Sequence, residues 1–173
     1  AAVIHFAAYG IRYCALRYFN AAGADFVGII GGAHNSETHL IPLSIMCTLG
    51  KFHPLTIFGT FGTDYPTHDG SAIRAYTHFN DLTASHIKAV QILSTGQESE
   101  VLNLGTGLGA SVLELVETVA SVNGRQLTNK YCPRRLGDPP GLVAWADKAK
   151  QILDGQVQFS DLDTIISSGC NCR

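Results

Sequence analysis

The sequence predicts an α/β fold, and three observations predict it. Short apolar runs with β-branched or aromatic members alternate with longer segments of helical period. Glycine, proline and asparagine cluster between these segments. A glycine-rich turn, Gly105–Ala110 (GTGLGA), joins one apolar run directly to a helix with a capping signal. With 173 residues, 46% of them hydrophobic and 15% charged, the chain is long enough for one domain with a substantial core.

Taken in order, Val3–Ala7 and Ala15–Phe19 read as strands. The interval between them is shorter than the crossover of roughly a dozen residues that a parallel pair needs. Gly23–Glu37 is glycine-rich and aperiodic and reads as a loop. Leu40–Leu49 reads as a helix, with Thr38 or His39 at its start and Gly50 at its end. Leu55–Phe58 reads as a short strand, and Gly59–Gly70 (GTFGTDYPTHDG) as turn chemistry throughout. Ile73–His78 reads as a strand. Asn80 or Asp81 then caps a helix, DLTASHIKAVQILST, whose Leu82, Ile87, Val90 and Leu93 share a face. Glu100–Leu104 is a strand, and Ser111–Val122 a helix opened by a Ser111/Glu114 capping box. Leu127–Cys132 reads as a strand, PRRLGDPPG as a loop, and Lys148–Leu153 and Asp161–Ser167 as short helices.

The net charge is −2 and the basic residues are scattered, Arg134-Arg135 being the one basic pair, so neither nucleic acid nor an anionic membrane is an expected partner. No apolar run approaches the ~20 residues of a membrane span, and the first residues lack the basic region of a signal peptide. A cytoplasmic location with reduced thiols is expected for the five cysteines. Cys170 and Cys172 have no second pair with which to hold a metal.

Gly105–Ala110 fits G-x-G-x-x-A between a strand and a helix, the setting of a dinucleotide fingerprint. The acid about 20 residues on that would hold a ribose is absent, because LTNKYCPRR ends in proline and arginines. A tight turn that lets a strand pack closely on its helix is the favoured reading. G-x-S-x-G, H-E-x-x-H and C-x-x-C are all absent, and the seven histidines are dispersed.

The segments LRYFNAAGAD (16–25), ETHLIP (37–42), LTIFG (55–59), TDYPTHDG (63–70), IRAYTHFNDL (73–82), VLNLGTGLGASVLEL (101–115) and PRRLGDPP (133–140) occur in this order. Together they resemble the carboxy-terminal half of the UDP-glucose (UDP-galactose) 4-epimerase family of extended short-chain dehydrogenases/reductases. The likeness runs from Leu16 to Ser168, and VIHFAA (3–8) resembles the family's fourth sheet strand, beside NAD. It implies an incomplete Rossmann-type parallel sheet plus a small α/β substrate-binding domain. Residues 1–22 would be remnant strands of the NAD-binding domain and 23–173 mainly the UDP-sugar-binding domain, with strand 100–105 a candidate for the main sheet.

The resemblance also implies NAD as cofactor and UDP-hexose as substrate, interconverted between UDP-galactose and UDP-glucose. Asn20 would bond the pyrophosphate, and Arg74 and Arg135 the phosphate oxygens, for which a planar guanidinium fork is suited. Leu40 and Phe58 would line the uracil pocket, His39 would contact substrate, and Asp138 would accept from ribose hydroxyls. Phe6, Ala7 and Phe19 would lie along NAD. Arg74-Ala75-Tyr76 departs from the family's usual Arg-Asp-Tyr, and Thr60–Gly62 resembles a small insertion.

The family's glycine-rich NAD loop lies upstream of VIHFAA, and its catalytic Ser and Tyr-x-x-x-Lys lie between VIHFAA and RYFN. Here that interval holds only YGIRYC, and no Tyr is followed four residues later by Lys. The expectation is a truncated form that keeps UDP-sugar-binding residues but not catalysis, with no NAD cradle of its own. The alternative is a non-catalytic structural or binding subunit of a larger assembly. Apolar surface bared by a half-sheet calls for a homodimer or larger complex to cover it.

Overall fold

The computed structural model describes residues 7–34, 37–51, 58–155 and 157–172. Residues 7–9 are helical. This corrects the strand expected over Val3–Ala7 at its last residue, Val3–Phe6 lying outside the described residues. A helix entering a strand needs no crossover, so the short interval before Cys14 is an ordinary helix-to-strand connection.

The apolar run that follows divides between two sheets. β1 (Cys14–Arg17) pairs in parallel with β6 (Glu100–Asn103), Cys14 opposite Glu100. Tyr18 and Phe19 then turn outward, and β2 (Asn20–Ala22) pairs in parallel with β5 (Tyr76–His78), Asn20 opposite Tyr76. The strand expected over Ile73–His78 divides likewise. β4 (Ile73–Arg74) lies in a three-stranded sheet between β7 (Ala110–Ser111), antiparallel, and β9 (Gly141–Leu142), parallel, and Ala75 is the junction with β5.

β3 spans Phe58–Phe61 and pairs in parallel with β8 (Asn129–Cys132). The expected strand residues Leu55–Ile57 lie outside the described residues. Gly59–Phe61 is strand and not turn: Thr60 is fully buried and its hydroxyl donates to Asn129 Oδ1 at 2.9 Å, so the partner strand overrides the local glycine chemistry.

The helices are α1 (Leu40–Thr48), α2 (Phe79–Ser94), α3 (Val112–Asn123), α4 (Asp147–Leu153) and α5 (Leu162–Asn171). α3 opens with the expected capping box: Ser111 Oγ accepts from the Glu114 amide, and the Glu114 carboxylate accepts from the Ser111 amide. α2 corrects two expectations. Its cap is His78, whose Nδ1 accepts from the Asn80 amide at 3.0 Å. Its buried face carries Leu82, Ala89 and the partly buried Ile92, leaving Ile87 (54%) and Val90 (67%) exposed. α5 runs longer than expected and is capped by Asp161, which accepts from the Thr164 amide at 2.8 Å.

Two apolar clusters hold these pieces. Leu82 and Ala89 of α2 and Ala149 and Leu153 of α4 pack on Leu102 of β6 and Leu104. Ile41 and Ile45 of α1, Leu115 and Val119 of α3, and Ile165 and Ile166 of α5 pack with Tyr76 of β5. Each fully buried Leu or Ile contributes roughly 1.5–3 kcal/mol of burial.

A buried polar network joins the two. His78 Nδ1 accepts a hydrogen bond, so its Nε2–H donates to Ser168 Oγ at 3.0 Å. That oxygen also accepts from the Ala24 amide, and its own hydrogen goes to the Ile165 carbonyl. Asp81 accepts from the amides of Gln158 and Phe159 and from Ser160 Oγ, which in turn accepts from the His78 amide. Burial lowers the His78 pKa below its ordinary 6.5, against the pull of the Asp81 and Asp161 charges. Among the described residues, no helix is long and apolar enough to cross a membrane.

Candidate functional site

A cavity of about 390 Å³ opens where β2, α1, β3, β4 and the loop after β8 converge. Its walls include Asn20, His39, Leu40, Arg74, Arg135 and Asp138. These are the substrate residues expected from the sequence, apart from Phe58, which begins β3 but whose side chain lies outside the description. Phe61, which the sequence reading placed in a turn, supplies an aromatic wall.

Backbone anchors set the polar groups. Asn20 Nδ2 donates to the Ala75 carbonyl at 2.8 Å, fixing the amide plane while its nitrogen keeps a second hydrogen. Arg74 is held on three sides: Nη1 donates to the carbonyls of Ile73 (2.8 Å) and Pro139 (3.1 Å), and Nη2 to Asp138 Oδ1 (2.5 Å). Arg74 and Asp138 are 15% and 30% exposed, so the pair is partly desolvated.

Arg135 differs. Its guanidinium lies 3.9 Å above the centre of the Phe61 ring. Among the described residues no carboxylate lies within ion-pair distance of it. The loop carrying it is pinned on either side: Arg134 stacks on Tyr65 and pairs with Asp64, and the Tyr65 hydroxyl donates to the Asp138 carbonyl. The cavity thus presents one neutralised and one uncompensated cation beside an amide and an aromatic ring, which suits a planar base carrying a phosphate chain. Two other cavity groups are unsuited to proton abstraction. Burial pushes the Tyr76 phenol well above its usual range despite the nearby Arg74 charge, and burial likewise raises the Cys47 thiol.

A second cavity of about 360 Å³ shares Asn20 and His39 with the first and is lined further by Phe19 and His34. Of the residues expected along NAD, Phe19 lies here, Ala7 is exposed and helical, and Phe6 lies outside the described residues. A larger open groove of about 690 Å³ runs past Thr106, Lys150, Asp154 and Asp161. Two carboxylates against one ammonium make it a poor anion site.

The glycine turn before α3 is not a phosphate cradle. The first amides of the helix are already used: Ser111 N–H by Glu114, Val112 N–H by the Ala72 carbonyl, Leu113 N–H by Ser71 Oγ and Glu114 N–H by Ser111 Oγ. The Asp69 carboxylate also accepts from Ser111 Oγ, adding negative charge where an anion would sit. The turn serves packing. A Cβ at Gly109 would lie 2.6 Å from Ile73 Cγ2 and 2.8 Å from Val143 Cγ2. The described residues therefore do not fit a dinucleotide phosphate at this helix.

Ahead of α1, Glu37 Oε1 accepts from the amides of Thr38 and His39, each at 2.9 Å, and from His39 Nδ1 at 2.7 Å. Burial raises the Glu37 pKa, but these hydrogen bonds and the His39 charge outweigh it and bring it down to about 2. Oε2 lies 3.6 Å from His34 Nδ1.

Comparison with known proteins places these observations in a family. The NAD dependent epimerase/dehydratase family matches residues 2–105. The UDP-glucose 4-epimerase of Rhizobium meliloti (strain 1021) is 48% identical over 162 residues, covering 94% of this chain and 48% of that protein. The crystal structure of UDP-glucose 4-epimerase from Brucella ovis in complex with NAD superposes with a TM-score of 0.93 at 42% identity, over 98% of this chain and 51% of that one. That of the Bifidobacterium longum enzyme in complex with NAD+ and UDP does so with a TM-score of 0.86 at 30% identity, over 98% and 50%. The chain spans about half the length of the curated relatives it matches.

Proposed function

The chain belongs to the NAD dependent epimerase/dehydratase family, and from that premise we propose that it holds the UDP-hexose of a UDP-glucose 4-epimerase. The observation that carries this reading is the convergence of Asn20, Arg74, Arg135 and Asp138, from three separate stretches of sequence, on one cavity. The likeness to a relative solved with NAD+ and UDP supports it.

In this reading Arg135, whose charge meets no carboxylate among the described residues, takes the diphosphate. The anchored amide of Asn20 donates its second hydrogen to the same group. Arg74 orients Asp138 toward ribose hydroxyls and adds its field to the phosphate. Leu40 and Phe61 flank the uracil. NAD, when bound, supplies the oxidation and reduction at the sugar's C4. The described residues supply neither its phosphate cradle nor a tyrosine–lysine base, so no proton or hydride transfer is assigned to them. β1 and β6 then belong with the NAD side and most of residues 23–173 with the sugar side. The exposed Ile87 and Val90 support a homodimer or larger complex covering α2.

The test is calorimetric titration of the chain with UDP. Saturable binding that Arg135→Ala weakens, with an unchanged thermal midpoint, supports the reading. Absence of binding by the folded wild-type chain removes it.

A further inference from the structure

We propose that His34, Glu37 and His39 form a binding site for a first-row divalent transition metal ion such as Zn2+, at the partition between the two neighbouring cavities. The three side chains offer two imidazole nitrogens and a carboxylate oxygen that all lie within 4.8 Å of one another. Two ligands each 2.0–2.2 Å from one zinc ion stand roughly 3.4 Å apart in a tetrahedron and at most about 4.2 Å apart. His34 Nδ1 stands 3.6 Å from Glu37 Oε2, and His39 Nδ1 2.7 Å from Glu37 Oε1. Small rotations of two exposed imidazoles, whose ring centres are 5.0 Å apart, bring the set onto one ion.

The donor set decides the class of ion. Two imidazoles and one carboxylate suit zinc, nickel or copper, whereas magnesium and calcium take oxygen ligands. Three protein ligands leave a tetrahedral ion one open position. The carboxylate is oriented in advance, because the Thr38 and His39 amides both hold Oε1, as the outer partners of a metal ligand do. Metal entry at His39 Nδ1 takes the place of the proton that this nitrogen gives to Glu37, and the neutral ring then carries its one proton on Nε2. His39 lines both cavities and His34 the second, so the ion's open position is within reach of whatever occupies them. The inference does not depend on the nucleotide-sugar reading. The spacing His-x-x-Glu-x-His is neither H-E-x-x-H nor C-x-x-C.

The experiment is titration of the chelator-stripped chain with ZnCl2, alongside His34→Asn and Glu37→Gln, with melting curves for each. The expected result is a single saturable site in the wild type, weakened about tenfold or more in either variant. Substituted Co2+ should show d–d absorption without the charge-transfer band that any of the five thiols would give as a ligand. No saturable Zn2+ binding by the wild type, equal affinity in both folded variants, or a thiolate band would each overturn the proposal.

Discussion

Arg74 Nη2 donates to Asp138 Oδ1 at 2.5 Å across 64 residues of chain. Of the two arginines in the cavity, Arg74 is thereby the one whose charge is already answered, while Arg135 rests on an aromatic ring. The two cations should respond differently to removal.

Arg135→Ala is expected to weaken UDP binding about ten- to a hundredfold, the range for a charge-assisted hydrogen bond. Folding stability should change by no more than about 1 kcal/mol, since only an exposed cation–π contact is lost. Calorimetry and urea denaturation read the two effects separately.

Arg74→Ala leaves a partly buried Asp138 carboxylate without its cation. A loss of about 1–3 kcal/mol is expected, less than for a fully buried pair because both groups retain some solvent. Adding Asp138→Ala should recover part of that loss. A double-mutant cycle in urea that gives zero coupling would contradict the structural role of the pair.

His78 sets a pH window. Its folded pKa is lowered by burial while its unfolded value is the ordinary 6.5. The unfolded chain therefore takes up the proton first, and stability is full above about pH 6.5 and declines as pH falls from there through the folded pKa. Asp81 and Asp161 oppose the shift and narrow the window without reversing it. The urea midpoint should fall between pH 7 and 5, and His78→Gln should be less stable at pH 7 but flatter across this range.

The glycine turn offers a contrast. Gly109→Ala forces a methyl against Ile73 and Val143 and should cost about 1–3 kcal/mol. Gly107 has φ +80° with open space around it, so Gly107→Ala should cost about 1–2 kcal/mol of left-handed strain. Neither should alter UDP affinity, which the same calorimetric titration checks.

The 173-residue chain alone should bind UDP and yet convert no UDP-galactose in a coupled assay. It has no tyrosine followed four residues later by lysine, and the amides of Ser111, Leu113 and Glu114 at the start of α3 are taken by protein acceptors. Sustained conversion by the purified chain is the outcome that contradicts this.

What could be read from the sequence was what is local. The Ser111/Glu114 box is a contact over three residues and was legible. The cap of α2 was not, because a histidine ring accepting an amide is a rarer device than the neighbouring Asn80 or Asp81, and Asp81 is committed to residues 158–160. The buried face of α2 was misassigned because small Ala89 faces the core while larger Ile87 and Val90 do not. β3 beyond Phe58, over Gly59–Phe61, was hidden in turn chemistry because its pairing with β8 lies far along the chain. The cavity residues were legible through family resemblance and not through any spacing rule. The Arg74–Asp138 pair and the Phe61 wall needed the fold to appear.

Ala75 is where the strand over residues 73–78 changes sheets. Its N–H is given to Leu142 and its carbonyl receives Asn20, while Arg74 precedes it directly. A single residue is thus the pivot of a caliper, with the amide of residue 20 on one jaw and the guanidinium of residue 74 on the other. Ala75 itself is buried, so the gauge of that caliper is set by backbone held inside the fold.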